Sequence, residues 1–251
     1  MLKVVKLGGN ELDRPEWLAA CAAALKAVEP VVVVHGGGRA VSALSQRLGL
    51  PVEKRGGLRV TSPEIAAVVE MVMGGPANRL VVSALRDAGL DAIGLSGSDG
   101  GLLSATPLPD LGHVGEITAV RTGLLDSLLL AGFTPVIAPM APGPEGGVPL
   151  NVNADQAAAA VAAALGAAEL LLVSDVPGVR VDGVTQTSLA TSEVEPLIAT
   201  GVAADGMAAK LRAAAQALAG GARAVRVGDL GMLADPGAGT RILPHLAVRV
   251  A

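Results

Sequence analysis

The chain has 251 residues, 51% of them hydrophobic, and a formal charge of −4. That length buries a large core and suits one α/β domain or two closely joined lobes. Aromatic residues make up only 1% and no basic run is present, so base stacking and tracking of a phosphate backbone are not expected. The single cysteine, Cys21, excludes a disulfide framework and a cysteine metal cluster.

After Met1, "LKVVKL" reads as a strand carrying Lys3 and Lys6, without the apolar core or cleavage pattern of a signal peptide. A helix over about Pro15 to Val28 follows, with Cys21 on its apolar pattern as a core thiol. The strand "PVVVVH" and another helix come next. Pro51 to Val60 carries turn residues and alternating polarity, which predicts a β-hairpin, and Leu108 to Val120 predicts a second. "LDAIGLS" and "FTPVIAP" are further strands. Ala141 to Pro149, "APGPEGGVP", is a Pro/Gly-rich surface loop.

An alanine-rich helix begins near Asn153 and Asp155, and the strand "ELLLVSD" follows it. The stretch Ala204 to Gly221 is predicted as a helix, with Asp205 as N-cap and Gly220-Gly221 as its end. "ARAVRVG" is another strand. Near-continuous apolar strands alternating with helices predict an α/β fold, a three-layer α/β/α sandwich with a mostly parallel central sheet. One domain over 1–251 is expected, with a soft boundary near residue 170 between an N-lobe (about 1–169) and a C-lobe (170–251). No uninterrupted apolar run reaches the roughly 18 residues of a membrane span, so no membrane partner is expected and a cytoplasmic location is the default.

Ligands of such sheets bind beyond the carboxyl ends of the strands. Lys6, Gly8 and Gly9 follow the first strand, His35 and Gly36 to Gly38 end the second, and Ser174-Asp175 end "ELLLV". One glycine pair is explained by a tight turn. Two such loops together, one with a lysine, favour a cradle for a polyphosphate. The P-loop and G-x-G-x-x-G patterns are absent, so a phosphate site follows another plan. Lys210 stands early in its helix, where its cation gains nothing from the helix dipole. It suits either a solvated face or a phosphate near that end. Capping explains Asn153 or Asp155, but not Asn151, Asn153, Asp155 and Gln156 together.

The motifs "KLGGN", "VVVVHGGG", "RGGLRVTSPE", "LGHVGEI", "LNVNADQAA", "LLLVSDVPGV", "DGMAAK" and "GTRIL", in this order and spacing, resemble the amino-acid kinase family. "GGLRVT" and "NVNAD" resemble its acetylglutamate branch in particular. The resemblance implies ATP-dependent phosphorylation of the side-chain carboxylate of N-acetyl-L-glutamate, with Mg²⁺ carried by the phosphates and no dedicated metal site. It implies that Lys6 and Lys210 flank the transferred phosphoryl group and that Asp155 holds both lysines. Gly8, Gly9, Gly36 and Gly37 would offer N–H groups, while Arg59 and Asn151 would grip the substrate. Ser174, Asp175, Asp205, Gly206 and Met207 would line the nucleotide pocket, and the hairpin around His113 to Ile117 would cover the site. A homodimer is implied. With five residues before Lys6, the N-terminal helix of arginine-inhibited members is not expected, and neither is inhibition by arginine. Alternatives are a kinase for carrier-linked aminoadipate or glutamate, a carbamate or aspartate kinase, and a non-catalytic nucleotide-binding module.

Overall fold

The computed structural model describes residues 1–9 and 11–244, with Glu145 described by its backbone alone. Its centre is an eight-stranded sheet. The spatial order is Ser188–Ala190, Thr240–Leu243, Val225–Gly228, Glu169–Val173, Lys3–Leu7, Val31–His35, Thr134–Ala138 and Ala92–Ser96. Every neighbouring pair is parallel except Val225–Gly228 with Thr240–Leu243. The mostly parallel sheet predicted from the apolar runs is therefore present. It runs unbroken across residue 170, because Glu169–Val173 pairs directly with Lys3–Leu7.

Strand side chains alternate faces, and here both faces are covered. Val4, Val32, Leu170 and Leu172 pack under one helical layer with Ala158, Ala162, Leu211 and Ala214. Val5, Val33, Leu171 and Val173 pack under the other with Leu18, Cys21, Leu25, Val81 and Leu85. Alanine dominates the first layer: the Ala154–Ala164 helix buries Ala157, Ala158, Ala159 and Ala162, and the Asp205–Ala219 helix buries Ala208, Ala213, Ala214 and Ala217. Small side chains let these backbones approach closely, which substitutes packing density for aromatic bulk. Burial lifts the Cys21 thiol to about 12, so it is an inert core group.

Several boundaries differ from expectation. The first helix is Pro15–Lys26, two residues shorter than the sequence suggests, and Ala27 ends it. The predicted hairpin over Leu108 to Val120 actually pairs Leu103–Pro107 with Val114–Val120, so its first arm lies before Leu108. The Asp110 (φ 61) and Gly112 (φ 70) turn residues mark the connection rather than a strand. The Pro51 to Val60 hairpin is present as Lys54–Arg55 paired with Leu58–Arg59. Its Gly56-Gly57 loop has φ of 56° and 82°, as a two-residue type I′ turn requires.

One helical run, Pro63–Asp87, is by length and composition apolar enough to cross a membrane, with a mean hydropathy of 1.4. Over half of that window (56%) is buried inside the protein, and the run is interrupted at Gly75 (φ −102, ψ −112). Its Ile65, Val68, Val69 and Val72 form a third core cluster with Val41 and Met140.

Ala158 is fully buried, so Ala158→Leu adds volume the first layer cannot absorb. The expected outcome is a loss of about 1–3 kcal/mol, read as a lower denaturant midpoint at unchanged slope.

Candidate active site

The Lys3–Leu7 and Val31–His35 strands lead into Gly8-Gly9 and Gly36-Gly37, and Glu169–Val173 leads into Ser174-Asp175. The two glycine loops lie backbone against backbone. A Cβ on Gly9 would sit 2.4 Å from Gly37 N, and one on Gly36 would sit 2.9 Å from Gly9 N. No side chain fits there, so glycine is a steric requirement at this crossing. His35 fixes the second loop from below. Its Nδ1 lies 2.9 Å from Gly36 O and its Nε2 lies 3.1 Å from Asn78 Nδ2. Burial pulls the His35 pKa down to about 4. The ring is therefore neutral, with Nδ1–H donating to Gly36 O and Nε2 accepting from the amide. It is a structural histidine.

The polar cluster at the start of the alanine helix divides its labour. Asn153 is the cap, since its side chain accepts from the backbone N–H of Asp155 and Gln156. The Asp155 carboxylate is thereby free to face the loops. Its Oδ1 lies 3.0 Å from Lys6 Nζ and its Oδ2 lies 3.6 Å from Lys210 Nζ. Lys6 and Asp155 are each 5% exposed. Oδ1 has no aligned hydrogen-bond donor, so its attraction to Lys6 is Coulombic. Two ammonium groups thus share one carboxylate. Burial pulls the Lys210 pKa below its usual value, and Lys6 pushes it further, against Asp155 and Asp175. Two buried cations against one carboxylate leave a surplus of positive charge, an environment that favours an anion.

Two cavities meet at this point. The first, ≈ 230 Å³, is lined among others by Lys6, Gly9, Gly36, Gly37, Arg59, Asn151 and Asp155. The second, ≈ 160 Å³, is lined by Lys6, Gly8, Gly9, Glu11, Trp17, Val173, Ser174, Asp175 and Lys210. Lys6 and Gly9 belong to both walls. Arg59 is buried, and its Nη2 donates to Gly38 O (2.8 Å) and Ser42 Oγ (2.7 Å). Its Nη1 is buried without a partner, a donor left open in the first cavity's wall.

Thr61 ties this wall together, a part that sequence reasoning did not assign although it quoted the residue. The fully buried Thr61 donates its hydroxyl to Arg59 O (2.8 Å) and accepts from the Asn151 amide (3.2 Å). Thr61 O accepts from His113 N–H, and His113 O accepts from Asn151 N–H. Asn78 was also missed. A helix-borne asparagine has no local signature, and its partner His35 lies 43 residues away.

The segment Asp205 to Met207 is placed differently from expectation. Ala204 is the N-cap, and Asp205 begins the helix at φ 45° with no side-chain cap bond. A cap residue needs extended backbone, which Asp205 does not have. None of Asp205, Gly206 and Met207 lines either cavity. Asp205 O instead abuts the hairpin tip, 3.7 Å from where a Cβ on Gly57 would stand.

Comparison with known proteins identifies relatives over nearly the whole chain. The family model described as the amino acid kinase family matches residues 1–229. The acetylglutamate kinase of Chloroflexus aurantiacus is 49% identical over 241 residues, 94% of this chain and 95% of its own. That of Rubrobacter xylanophilus is 47% identical over 214 residues, 84% of each chain. The solved structure of smu.665 from Streptococcus mutans superposes with a TM-score of 0.86 at 30% identity, covering 96% of this chain and 98% of its own. With a family match over most of its length and near-full-length relatives close to half identical, the chain belongs to the amino acid kinase family.

Proposed function

We propose that the protein transfers the γ-phosphoryl group of ATP to the side-chain carboxylate of N-acetyl-L-glutamate, a step of arginine biosynthesis. Near-full-length similarity to acetylglutamate kinases supports the reaction. The observation that carries the mechanism is the shared edge of the two cavities, where Lys6, Gly9, Asp155 and Lys210 converge. Substrate in the first cavity and phosphates in the second would meet across that edge.

A substrate carboxylate is ionised at neutral pH, so no general base is needed. One of its oxygens attacks the γ-phosphorus in line. The new O–P bond forms as the bond to the β-phosphate oxygen breaks, giving an acyl phosphate and ADP. Both reactants are anionic, so catalysis is positioning and charge neutralisation. Lys6 faces the transferred group from the glycine loop, and Lys210 faces it from the nucleotide side. Asp155 holds the two ammonium groups apart and in register. Gly8, Gly9 and Gly37 present backbone N–H groups, which cost no reorganisation during reaction, whereas the expected Gly36 N–H donates to Leu7 O (2.9 Å) and holds the loop in place instead. Arg59 and Asn151 take the α-carboxylate end, with the unpartnered Nη1 of Arg59 as the open donor. Ser174 and Asp175 wall the nucleotide side, whereas Asp205, Gly206 and Met207 lie outside both cavities and receive no role in the reaction.

Among the described residues, no group of three or more His, Cys, Asp or Glu is arranged to hold a metal ion. This donor set fits Mg²⁺ carried by phosphates and water, where it supplies charge neutralisation, with Glu11 and Asp175 as the nearby cavity carboxylates. The enzyme is proposed as a cytoplasmic homodimer. Exposed Met71 and Leu80, on the Pro63–Asp87 run, support apolar contact with a second copy.

The assignment is tested by trapping acyl phosphate with hydroxylamine, offering N-acetyl-L-glutamate, free glutamate and aminoadipate separately. Hydroxamate is expected from the acetylated substrate alone. No product from it overturns the reading. Trp17 is the sole tryptophan and the chain has no tyrosine, so intrinsic fluorescence reports nucleotide entering the second cavity. Lys210→Met is expected to lower kcat by about 10²–10³-fold while the fluorescence-detected ATP affinity weakens far less. Near-full activity would remove Lys210 from the mechanism.

The Lys210 cation exists below its folded pKa, which lies under the usual lysine value. Rate should therefore fall as pH rises through that pKa. Asp155→Asn removes the anion that favours the cation. It should move the alkaline limb of the kcat/KM profile to lower pH, besides reducing the maximum. An unmoved limb would separate Asp155 from the lysine's titration.

A further inference from the structure

Lys54 lines the first cavity, yet no role follows for it from the reaction as described above. It sits on the Lys54–Arg55 strand, directly opposite Arg59 in the hairpin ladder. Residues directly opposite one another in an antiparallel pair project from the same face. Val60 N–H bonds Glu53 O at the next rung, so the Lys54–Arg59 rung is the non-hydrogen-bonded kind. Side chains approach most closely on such rungs. Like charges facing across a ladder destabilise it. No carboxylate on the hairpin relieves them: Glu53, the nearest acid in sequence, is engaged by Arg55 at 2.7 Å. Among the described residues neither Lys54 nor Arg59 forms an ion pair. Arg59 is buried in the wall, while Lys54 is exposed at the mouth.

We propose that Lys54 is a specificity-determining residue that, with Arg59, selects substrates carrying a second carboxylate beyond the one that is phosphorylated. This deepens the kinase reading and rests on it. The cavity is then bipolar in use. One carboxylate sits at the Lys6 and glycine end for reaction, and the other settles between two opposed cations at the hairpin. Binding the second anion offsets the repulsion across the rung, which a monoacid held at the Lys6 end does not do. The interaction is made equally in ground and transition states, so Lys54 acts on KM and not on kcat.

The test compares wild type, Lys54→Met and Lys54→Arg in the hydroxamate assay. Two substrates are used: N-acetyl-L-glutamate and its α-carboxamide analogue, which keeps the reactive carboxylate and lacks the second charge. Lys54→Met is expected to raise KM for N-acetyl-L-glutamate about tenfold, with kcat within about twofold and KM for ATP unchanged. Its preference for the diacid over the carboxamide should shrink by about the same factor. Lys54→Arg should restore both, since charge and not shape is at issue. Unchanged KM and unchanged discrimination in Lys54→Met, with an active wild type, overturn this proposal and leave the kinase reading standing. A raised KM with unchanged discrimination also overturns it, because lost packing affects both substrates alike. A wild type that yields no hydroxamate overturns both readings together.

Discussion

The structure depends on one carboxylate shared by two ammonium groups. Asp155 is nearly buried, and so is Lys6, and burial of such charges costs several kcal/mol per ion unless they are paired. Three separate parts of the fold exist in their observed relation to keep that pairing: the end of the Lys3–Leu7 strand, the start of the Ala154–Ala164 helix, and the second turn of the Asp205–Ala219 helix. Asn153 takes over the capping work that a first-turn aspartate would otherwise do. Were Asp155 itself the cap, its oxygens would be tied to backbone N–H groups and the lysines would repel one another without a mediator. Division between neighbouring residues two positions apart is what converts a helix start into an electrostatic hub.

Around the hub the chain uses absence of side chains as a building material. Gly9 and Gly36 permit two loops to touch, and alanines permit the covering helices to sit close to the sheet. Close approach brings Gly9, Gly36 and Gly37 together on the wall of one small cavity. Thr61 does the corresponding work on the substrate side. It joins the short hairpin, Leu111 and His113 of the following connection, and Asn151 through hydrogen bonds from one buried residue.

The sheet and its covering helices were legible because strands buried on both faces read as apolar runs, "VVVV" at 31–34 and "LLLV" at 170–173. Lys6, Asp155, Arg59 and Asn151 were legible through resemblance, and the structure brings them to one cavity. What failed was conformational. Asp205 has the side chain of a cap, but its positive φ is imposed by the surrounding fold, and nothing in "ADGMAAK" announces that. The hairpin arm Leu103–Pro107 was missed because "LSATP" lacks the β-branched density of a core strand and gains its place by pairing with Val114–Val120. His35 and Asn78 could not be joined from sequence, since the contact is tertiary.

Lys3–Leu7, which precedes the other strands of the sheet in chain order, lies in its middle. Lys3–Leu7 pairs with Val31–His35 on one side, but its other neighbour is Glu169–Val173. During synthesis an apolar strand edge therefore stands open while most of the chain is still being made, and such edges invite pairing with other chains. Lys3 and Lys6 lie on that strand, and charged lysines discourage wrong pairing. Their eventual partners, Glu169 and Asp155, arrive with the same late segment that closes the edge. The lysine that pairs with Asp155 in the finished fold, and is proposed to face the transferred phosphoryl group, thus also guards the unfinished chain.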